Sequence, residues 1–289
     1  MVCRILLSLL AIAQFSIAEP ITLMTFNVRY GTADDGENSW EFRKDHVVET
    51  IENTAPAVLA IQEALVGQLK YIDEHFPGYK KIGEHRNGNT TGEFSGLLID
   101  TSTLEILEEG QMWLSETPEK ISKGWDAALQ RTATWATVRR VGTSSPSFVL
   151  FSTHFDHHGK TARLESAKLI VEKARELSGE KQLPIAIMGD FNCTPGSEPF
   201  KVFKEFGFSP AVTPTYGGGT YNKFSGSHYG LRIDFIFLNN NWKICSAEIL
   251  RPRKDGKCAS DHDPIVAFVM PVVPPRTDGS HDSTPSSPN

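Results

Sequence analysis

The sequence is poor in cysteine and has no excess of positive charge, and both features argue against classes of protein. Its 289 residues include four cysteines, with no CxxC pair and no HExxH motif, so a structural zinc site and a zinc hydrolase have no support. The 29 Lys and Arg residues are outnumbered by 35 Asp and Glu residues, giving a formal net charge of −6 at pH 7. Because duplex-binding proteins gain affinity by neutralising phosphates, this balance disfavours nucleic acid as the partner.

Long hydrophobic runs are also missing, and the first apolar run predicts a secretion signal. Arg4 precedes an apolar stretch from Ile5 to Ala13, and Ser16 and Ala18 supply a small-x-small cleavage pattern. The stretch is shorter than the roughly 20 residues that span a membrane. We therefore expect a signal peptide over residues 1–18, a secreted or periplasmic protein and no stable membrane insertion. A buried N-terminal strand or a retained anchor is the alternative.

The cysteines that remain after such a cleavage are odd in number. They are Cys193, Cys245 and Cys258, and an odd number excludes a fully paired disulfide framework. An oxidising compartment permits one bridge, for which Cys245 and Cys258 are the expected pair. Three free thiols are the equal alternative.

The composition changes near the end of the chain. From Pro271 onward it is dominated by proline, serine and charge, so residues 271–289 are predicted to be a disordered tail. The sequence has no internal repeat and no other linker. We therefore expect residues 19–270 to form one domain and the protein to be a monomer.

Short apolar segments recur along this domain and predict a strand-rich fold. Because strands outnumber helices, we expect sheets that pack on each other with helices outside. Among the predicted helices, Thr161–Leu177 has the clearest stripe of apolar residues at helical spacing. Strands are predicted at Ile21–Phe26, Ala57–Ile61, Phe94–Ile99, Thr132–Arg139, Phe148–Thr153, Leu183–Met188, Ile233–Leu238 and Ile265–Val269, and helices at Arg43–Asn53, Val66–His75 and Thr161–Leu177.

Polar side chains that can bind metal or move protons lie at the ends of these apolar segments. Any one of them alone is explained by a turn or a structural hydrogen bond. Together they place many ionisable groups in apolar sequence, and burying each is costly unless something pairs with it. A hard divalent cation fits this set, since softer metals prefer more His or Cys. The set is Asn27, Glu63, His154, Asp190, Asn192, Asp234, Asp261 and His262.

The stretch MGDFNC shows how a strand could deliver two such groups to one pocket. Alternation along a strand predicts that Asp190 and Asn192 point to the same side. Gly189 would allow another backbone to approach closely, and the turn at Pro195 and Gly196 would lead the chain away.

Six segments in this order resemble the endonuclease/exonuclease/phosphatase superfamily, which includes DNase I-like nucleases, inositol-phosphate phosphatases and sphingomyelinases. They are TFNVR, QE, STH, GDFN, IDFIF and SDHDP, and the resemblance runs from about Ile21 to Val269. It implies a four-layer α/β sandwich, in which two mixed β-sheets pack face to face and are flanked by helices. It also implies a metal-dependent hydrolase of phosphate esters.

The resemblance assigns metal and water-handling roles to five residues. Glu63 would be the main Mg²⁺ ligand, with Mn²⁺ as an alternative ion, and Asn27 and Asp261 would complete the site. Asp190 would orient or deprotonate the attacking water. Asn192 would hold that water or a phosphate oxygen.

The resemblance also assigns the two imidazoles. His262 would contact the phosphoryl group and be polarised by Asp234, because a carboxylate partner raises the imidazole pKa and fixes the ring. His154 would be a second phosphate contact or would help the leaving group depart.

Four further residues are candidate substrate contacts. Arg131 could bind a phosphate in bidentate fashion or form a surface ion pair. Asp156 and His157 could contact substrate or cap the following helix, and capping is favoured for Asp156. Trp40 is a candidate stacking surface, with a plain surface loop as the equal alternative, and the same two interpretations apply to the tyrosines of Thr215–Gly230.

The expected function is a secreted Mg²⁺-dependent phosphoesterase that acts on a phosphomonoester or phosphodiester. A compact substrate such as a phosphorylated sugar or polyol fits best, since the chain has no long basic insertion. An endonuclease or exonuclease acting on DNA or RNA is the alternative. A non-catalytic binding module is disfavoured because Glu63, Asp190 and both histidines of the motifs are present.

Overall fold

The computed structural model describes residues 19–143 and 146–272, which form two six-stranded β-sheets packed face to face. The predicted signal peptide lies outside the described residues, as does residue 273 onward of the predicted tail. The last strand extends through Pro271, the first residue assigned to that tail. Among the helices of the described residues, none has the length and apolar character needed to cross a membrane.

The first sheet joins strands from both ends of the domain. Its strand order is β11-β14-β1-β2-β4-β3, with β1 and β2 parallel and the other neighbours antiparallel. The strands are β1 (Ile21–Asn27), β2 (Val58–Ala64), β3 (Tyr79–Ile82), β4 (Phe94–Asp100), β11 (Trp242–Ile249) and β14 (Ile265–Pro271).

The second sheet is formed by the middle of the chain. Its strand order is β5-β6-β7-β8-β10-β9, with β7 and β8 parallel. The strands are β5 (Leu104–Trp113), β6 (Thr132–Arg140), β7 (Phe148–His154), β8 (Ile185–Asp190), β9 (Phe208–Pro210) and β10 (Asp234–Asn239), and a separate hairpin is made by β12 (Arg253–Lys254) and β13 (Lys257–Cys258).

Helices cover the outer face of each sheet and complete a four-layer sandwich, as predicted. One core lies between the sheets, where residues such as Leu23 of β1 and Leu150 of β7 are fully buried. Two more cores lie beneath the helices, and α3 buries its apolar stripe against the second sheet. The helices are α1 (Trp40–Thr54) and α2 (Val66–His75) on the first sheet, and α3 (Lys160–Ser178) and α4 (Glu198–Glu205) on the second.

Every predicted strand and helix overlaps an observed element, but several elements were missed. The strands β5 and β11 lie at sheet edges, and most of their residues are exposed or half-buried. An edge strand can be polar on much of its surface, so it lacks the apolar run by which the central strands are detected. The sequence also missed α4, an eight-residue helix with a proline near its start.

Three cysteines lie in the described residues and all are free thiols. Cys245 is exposed on β11, whereas Cys193 and Cys258 are buried. The structure therefore has the three free thiols of the alternative and not the expected bridge between Cys245 and Cys258.

Candidate active site

The strand ends meet at one edge of the sandwich and form a pocket of about 640 Å³. The neighbouring strands β1, β2, β7 and β8 deliver side chains from their C-terminal ends, and β10 begins at Asp234 directly opposite Asp190. We call five of these side chains the strand-end centre: Asn27, Glu63, His154, Asp190 and Asp234. The loop before β14 adds Asp261 and His262, so all of the catalytic and metal-binding candidates come together here.

The pairing of β7 with β8 requires the glycine of the GDFN motif. Thr153 pairs with Gly189 and His154 with Asp190 across these parallel strands. Gly189 has φ of +150°, and a Cβ atom there would lie 2.0 Å from the carbonyl oxygen of Thr153. Any side chain would therefore force apart the two strands that hold His154 and Asp190 together.

Asp190 and Asn192 both reach the pocket, but not by strand alternation. The strand β8 ends at Asp190, and Asn192 has a left-handed backbone with φ of +45°. The backbone N–H of Asn192 donates to Asp190 Oδ1 at 2.9 Å, and its side-chain amide donates to the Phe155 carbonyl at 3.0 Å. Both side chains reach the pocket as expected, but strand alternation is the wrong reason. A turn, in which the Asp190 carboxylate accepts the Asn192 N–H, places Asn192.

Glu63 is aimed into the pocket by an irregularity in β2. Its φ is +65°, and the register against β4 shifts between Ile61 and Ala64. A β-bulge of this kind redirects a side chain, and a left-handed non-glycine residue persists only where its surroundings hold it. The carboxylate accepts hydrogen bonds from Asn27 Nδ2 at 2.8 Å and from the Tyr30 backbone at 2.9 Å.

Asn27 links the two main carboxylates of the site. Its Nδ2 atom donates to Glu63 and also to Asp190 Oδ2, at 3.1 Å. Its Oδ1 atom accepts the backbone N–H of Arg29 at 2.9 Å, which fixes the amide orientation.

The two imidazoles have opposite environments. His262 Nδ1 lies 2.8 Å from Asp234 Oδ2. Burial alone would lower the pKa of His262, but the negative charges of Asp234 and Asp190 raise it well above its usual value. Burial and the positive charges of Arg131 and Arg86 instead hold the pKa of His154 well below its usual value. The surroundings therefore favour the charged form of His262 and the neutral form of His154.

His154 has an incomplete set of partners among the described residues. Its Nε2 atom lies 3.5 Å from Asp190 Oδ2, and its Nδ1 atom lies 3.6 Å from Glu93 Oε2. The buried Nδ1 atom has no hydrogen bond within the described part of the chain. The ring is thus positioned between two carboxylates.

The crowding of carboxylates supports a cation site. Burial, followed by the charge of Asp234, raises the pKa of Asp190 to about 7. Burial and the charge of Glu63 also raise the pKa of Asp261. Ligand atoms of Glu63, His154 and Asp190 lie within 4.8 Å of one another. This oxygen-rich set fits a hard divalent cation, which would offset the repulsion between the carboxylates.

Arg131 is a buried pocket residue, so the surface ion pair considered for it is wrong. Its side chain is 5% exposed. Its Nη2 atom lies 3.0 Å from His157 Nδ1, and its Nε atom donates to Asp156 at 3.4 Å. Arg131 and His157 both line the pocket.

Asp156 does not line the pocket and holds the backbone instead. Its carboxylate accepts N–H groups from Ala128, Leu129, His158 and Gly159. Burial opposes ionisation of this group, but those hydrogen bonds and the charge of Arg131 keep its pKa below the usual value.

The favoured capping role belongs to another aspartate. Asp126 accepts the first-turn N–H groups of α3 from Thr161 at 3.2 Å and Ala162 at 2.7 Å. The last backbone N–H that Asp156 accepts is that of Gly159, one residue before α3 begins. Asp156 therefore stabilises the preceding loop and Arg131 and does not cap the helix.

Trp40 is a core residue and not a stacking surface in the pocket. It is 7% exposed at the start of α1. Its ring packs edge-on against Tyr71 at 6.1 Å, and the Arg43 guanidinium lies 5.2 Å from its centre. The candidate assignment of Trp40 to substrate stacking is therefore wrong.

Sequence reasoning missed several residues that line the pocket. Arg86 and Glu93 form an ion pair at 2.7 Å on the segment between β3 and β4. Because β3 was not predicted, nothing in the sequence placed that segment beside the strand-end centre. Arg29 is the last residue of the TFNVR motif and Tyr30 follows it, so both could have been proposed from that motif.

A glycine-rich loop, residues 215–232, supplies Tyr221 to the pocket wall. The Tyr221 ring lies 4.9 Å from the His262 ring, centre to centre. The backbone N–H of Asn222 donates to the Asp261 carbonyl at 2.8 Å, and that of Asp263 donates to the Thr220 carbonyl at 2.8 Å. The loop is thus bonded directly to the segment that carries His262.

Asp263 pairs with two arginines, one of which, Arg251, bonds the loop. It is 1% exposed and forms ion pairs with Arg251 and, at 2.8 Å, with Arg253. Arg251 Nη1 also donates to the Gly219 carbonyl at 2.9 Å. The neighbouring Arg232 donates to the Gly218 carbonyl at 2.9 Å. We call Asp263, Arg251 and Arg253 the arginine clamp.

Comparison with known proteins agrees with this geometry. A sequence model described as the Endonuclease/Exonuclease/phosphatase family matches residues 24–262. A mannosyl-6-phosphatase from Bacteroides thetaiotaomicron is 31% identical, with a TM-score of 0.81 over 86% of this chain and 99% of that chain. An endonuclease/exonuclease/phosphatase from Bacteroides vulgatus is 32% identical, with a TM-score of 0.80 over 88% of this chain and 100% of that one. The search of curated proteins found no match.

A more distant structure shares the fold alone. The human Nocturnin catalytic domain with bound sulfate is 19% identical, with a TM-score of 0.69 over 88% of this chain and 94% of that chain. The sandwich and its site define a DNase I-like hydrolase of phosphate esters. The chain belongs to the endonuclease/exonuclease/phosphatase family, as the six motifs predicted.

Proposed function

We propose that the protein is a secreted, Mg²⁺-dependent phosphoesterase that hydrolyses a phosphorylated sugar or polyol. The observation that carries this proposal is the convergence of Glu63, Asp190 and two imidazoles of opposite character in one pocket with Arg131. The likeness to a mannosyl-6-phosphatase supports a sugar phosphate as the substrate class. The negative net charge disfavours the nuclease alternative.

The proposed metal site uses the acidic side of the pocket. Glu63 and Asp261 would hold Mg²⁺, which would neutralise phosphoryl charge. Asn27 directs its Nδ2 atom at the carboxylates, so it would position Glu63 and not bind the ion as expected from the resemblance. The fixed amide of Asn27 keeps Glu63 and Asp190 in one arrangement.

The remaining residues handle protons and orientation. Asp190 accepts a proton from the attacking water, and Asn192 orients that water or a phosphate oxygen. The His262 imidazolium, held by Asp234, donates to a phosphoryl oxygen. His154 and Arg131 supply further contacts to the phosphoryl group. Water attacks phosphorus in line, the bond from phosphorus to the alcohol oxygen breaks, and inorganic phosphate and the free alcohol are the products.

A substrate panel tests the activity. Purified protein with Mg²⁺ should release phosphate from mannose 6-phosphate, glucose 6-phosphate or an inositol phosphate, and EDTA should abolish that release until Mg²⁺ or Mn²⁺ is restored. Activity that survives EDTA would contradict the proposal. Faster nicking of plasmid DNA than hydrolysis of any small ester would favour the nuclease.

Export and oligomeric state need separate measurements. We propose cleavage after Ala18, for which N-terminal sequencing of the exported protein should begin at Glu19. We also propose a monomer, for which light scattering should give the mass of one chain. A retained N-terminus or a dimer mass would contradict these two proposals without affecting the proposed chemistry.

A further inference from the structure

A second pocket opens beside the catalytic pocket, and the proposed chemistry gives it no role. It also measures about 640 Å³, within the roughly 300–1,000 Å³ typical of small-molecule sites. Both pockets are lined by His157, Asn192, Tyr221 and Ile233. The two pockets are therefore parts of one cleft, and we call the second part the side groove.

The side groove combines apolar walls with polar side chains. Leu164, Pro199, Leu231 and Ile233 supply apolar surface from α3, α4 and the loop before β10. Leu231 is 58% exposed, which leaves a branched apolar side chain facing solvent at the groove. A ligand with both apolar and hydrogen-bonding faces is the natural occupant of such a surface.

Two cations of the groove are available as hydrogen-bond donors. Within residues 19–143 and 146–272, the Lys160 ammonium has no carboxylate oxygen within 4 Å. Arg163 donates to the Asp156 carbonyl at 2.7 Å and likewise has no carboxylate partner in those ranges. The groove's acid, Glu198, is paired with Lys201 at 2.6 Å. The groove therefore offers two cations without a carboxylate partner and one carboxylate that is already paired, which suits a ligand rich in oxygen atoms.

Tyr221 stands at the junction of the two pockets. Its ring packs against His262, which faces the reacting phosphoryl group in the proposed mechanism. An alcohol attached to that phosphoryl group can extend past Tyr221 into the side groove. Aromatic rings present an apolar face beside a polar tip, which matches the faces and hydroxyl groups of a sugar ring.

We propose that the side groove binds a second saccharide unit, so that the preferred substrate is a phosphorylated disaccharide or longer glycan and not a free hexose phosphate. The inference rests on the proposed function, because it assigns the phosphoryl group to the catalytic pocket. It adds a binding site whose chemistry is carried by Lys160, Arg163, Leu231 and Tyr221.

The test compares matched esters with and without a second sugar. The 6-phosphates of mannose and glucose are compared with α-linked disaccharides that carry the same phosphate on the non-reducing sugar. For the sugar that the enzyme hydrolyses faster, kcat/KM should be about tenfold higher for the disaccharide, the gain expected from a few added contacts. Equal values for the two esters would overturn the inference and leave the proposed function intact.

Two variants test whether the side groove causes the preference for the disaccharide phosphate. Lys160→Gln and Leu231→Ala should each lower the disaccharide-to-monosaccharide ratio of kcat/KM about fivefold, because each removes one groove contact. Lys168→Gln on the same helix and Leu107→Ala, a leucine 45% exposed on β5, are the controls and should keep the wild-type ratio. A ratio unchanged in both groove variants, or lowered equally in the controls, would overturn the inference.

If the proposed function itself is wrong, the outcome differs from a mere loss of the preference for the disaccharide. If wild-type protein with Mg²⁺ hydrolyses none of the monosaccharide, disaccharide and inositol phosphates, both proposals are overturned together. Hydrolysis of an inositol phosphate alone would overturn only the inference about the side groove. Unchanged thermal unfolding midpoints in all four variants establish that a lost preference comes from the groove and not from misfolding.

Discussion

The strand-end centre and the glycine-rich loop face the same pocket, but they are held in place by different means. Strand register fixes His154 beside Asp190 and Asp190 opposite Asp234. The glycine-rich loop has little regular structure, and its carbonyl groups are bonded by the buried Arg232 and the half-buried Arg251. Backbone pairing thus fixes the positions of the strand-end centre. Side-chain contacts, including the arginine clamp, fix the position of the glycine-rich loop beside it.

The largest effect is expected from a variant that disrupts the strand-end centre. Asp190→Asn keeps the shape of the side chain but removes the group that accepts the proton of the attacking water. Since a positioned general base contributes about 10²–10⁴-fold, we expect kcat to fall about 10³-fold. Steady-state kinetics on the best sugar phosphate would measure this effect.

The matched control for that variant is Asp73→Asn, an aspartate on α2 that pairs with Lys81 at the surface. It should leave kcat within about twofold of wild type, because surface changes of this kind have small effects. An active Asp190→Asn enzyme would remove Asp190 from the mechanism.

A smaller effect is expected when the arginine clamp is broken. Asp263→Asn leaves Arg251 and Arg253 without their buried carboxylate, which should lower the free energy of unfolding by about 3 kcal/mol. Because the clamp positions the loop against His262 without contacting substrate, kcat should fall about tenfold while the Mg²⁺ concentration for half-activation stays unchanged. Urea unfolding and Mg²⁺ titration measure the two quantities.

The control for the clamp is a surface ion pair of the same kind. Glu105→Gln removes the exposed partner of Arg139, a pair at 2.7 Å between β5 and β6. Exposed pairs contribute little, so its urea midpoint and kcat should match wild type. If Asp263→Asn behaves like this control, the loop is positioned by its backbone contacts alone.

The smallest catalytic effect is expected at Trp40, outside both regions. Trp40→Phe removes part of a buried ring, so the protein should lose about 1 kcal/mol of stability and keep its KM within about twofold. A large increase in KM with unchanged stability would return Trp40 to the substrate-binding residues.

The difference between the strand-end centre and the glycine-rich loop also explains which parts of the site the sequence could predict. The central strands are continuous apolar runs, and the sequence predicted Glu63, His154, Asp190 and Asp234 at the ends of those runs. The bulge that aims Glu63 into the pocket was not predicted.

The glycine-rich loop has no periodic pattern, and its structure depends on its own Arg232 and on Arg251, which is distant along the chain. The tyrosines of this loop were candidate stacking surfaces from the sequence, and Tyr221 does line the pocket. The arginine clamp could not be derived from local sequence.

Two errors have a similar physical cause. Trp40 lies in a polar stretch, DDGENSW, yet the first turn of α1 carries it into the core. Asp156 lies close to the start of α3, but its carboxylate bonds the loop at Ala128 and Leu129. In both cases contacts between segments that are distant along the chain, invisible in the local pattern, decided where the side chain lies.

Calorimetric titration of Mg²⁺ and Mn²⁺ into wild-type protein and the variants Glu63→Gln and Glu52→Gln tests the central claim most directly. Glu52 is exposed on α1 and serves as the matched control. We predict that wild type and Glu52→Gln bind the ion with the same affinity, and that Glu63→Gln binds it at least about tenfold more weakly and loses phosphate release in parallel. Equal binding by all three proteins would contradict a shared cation at the strand ends.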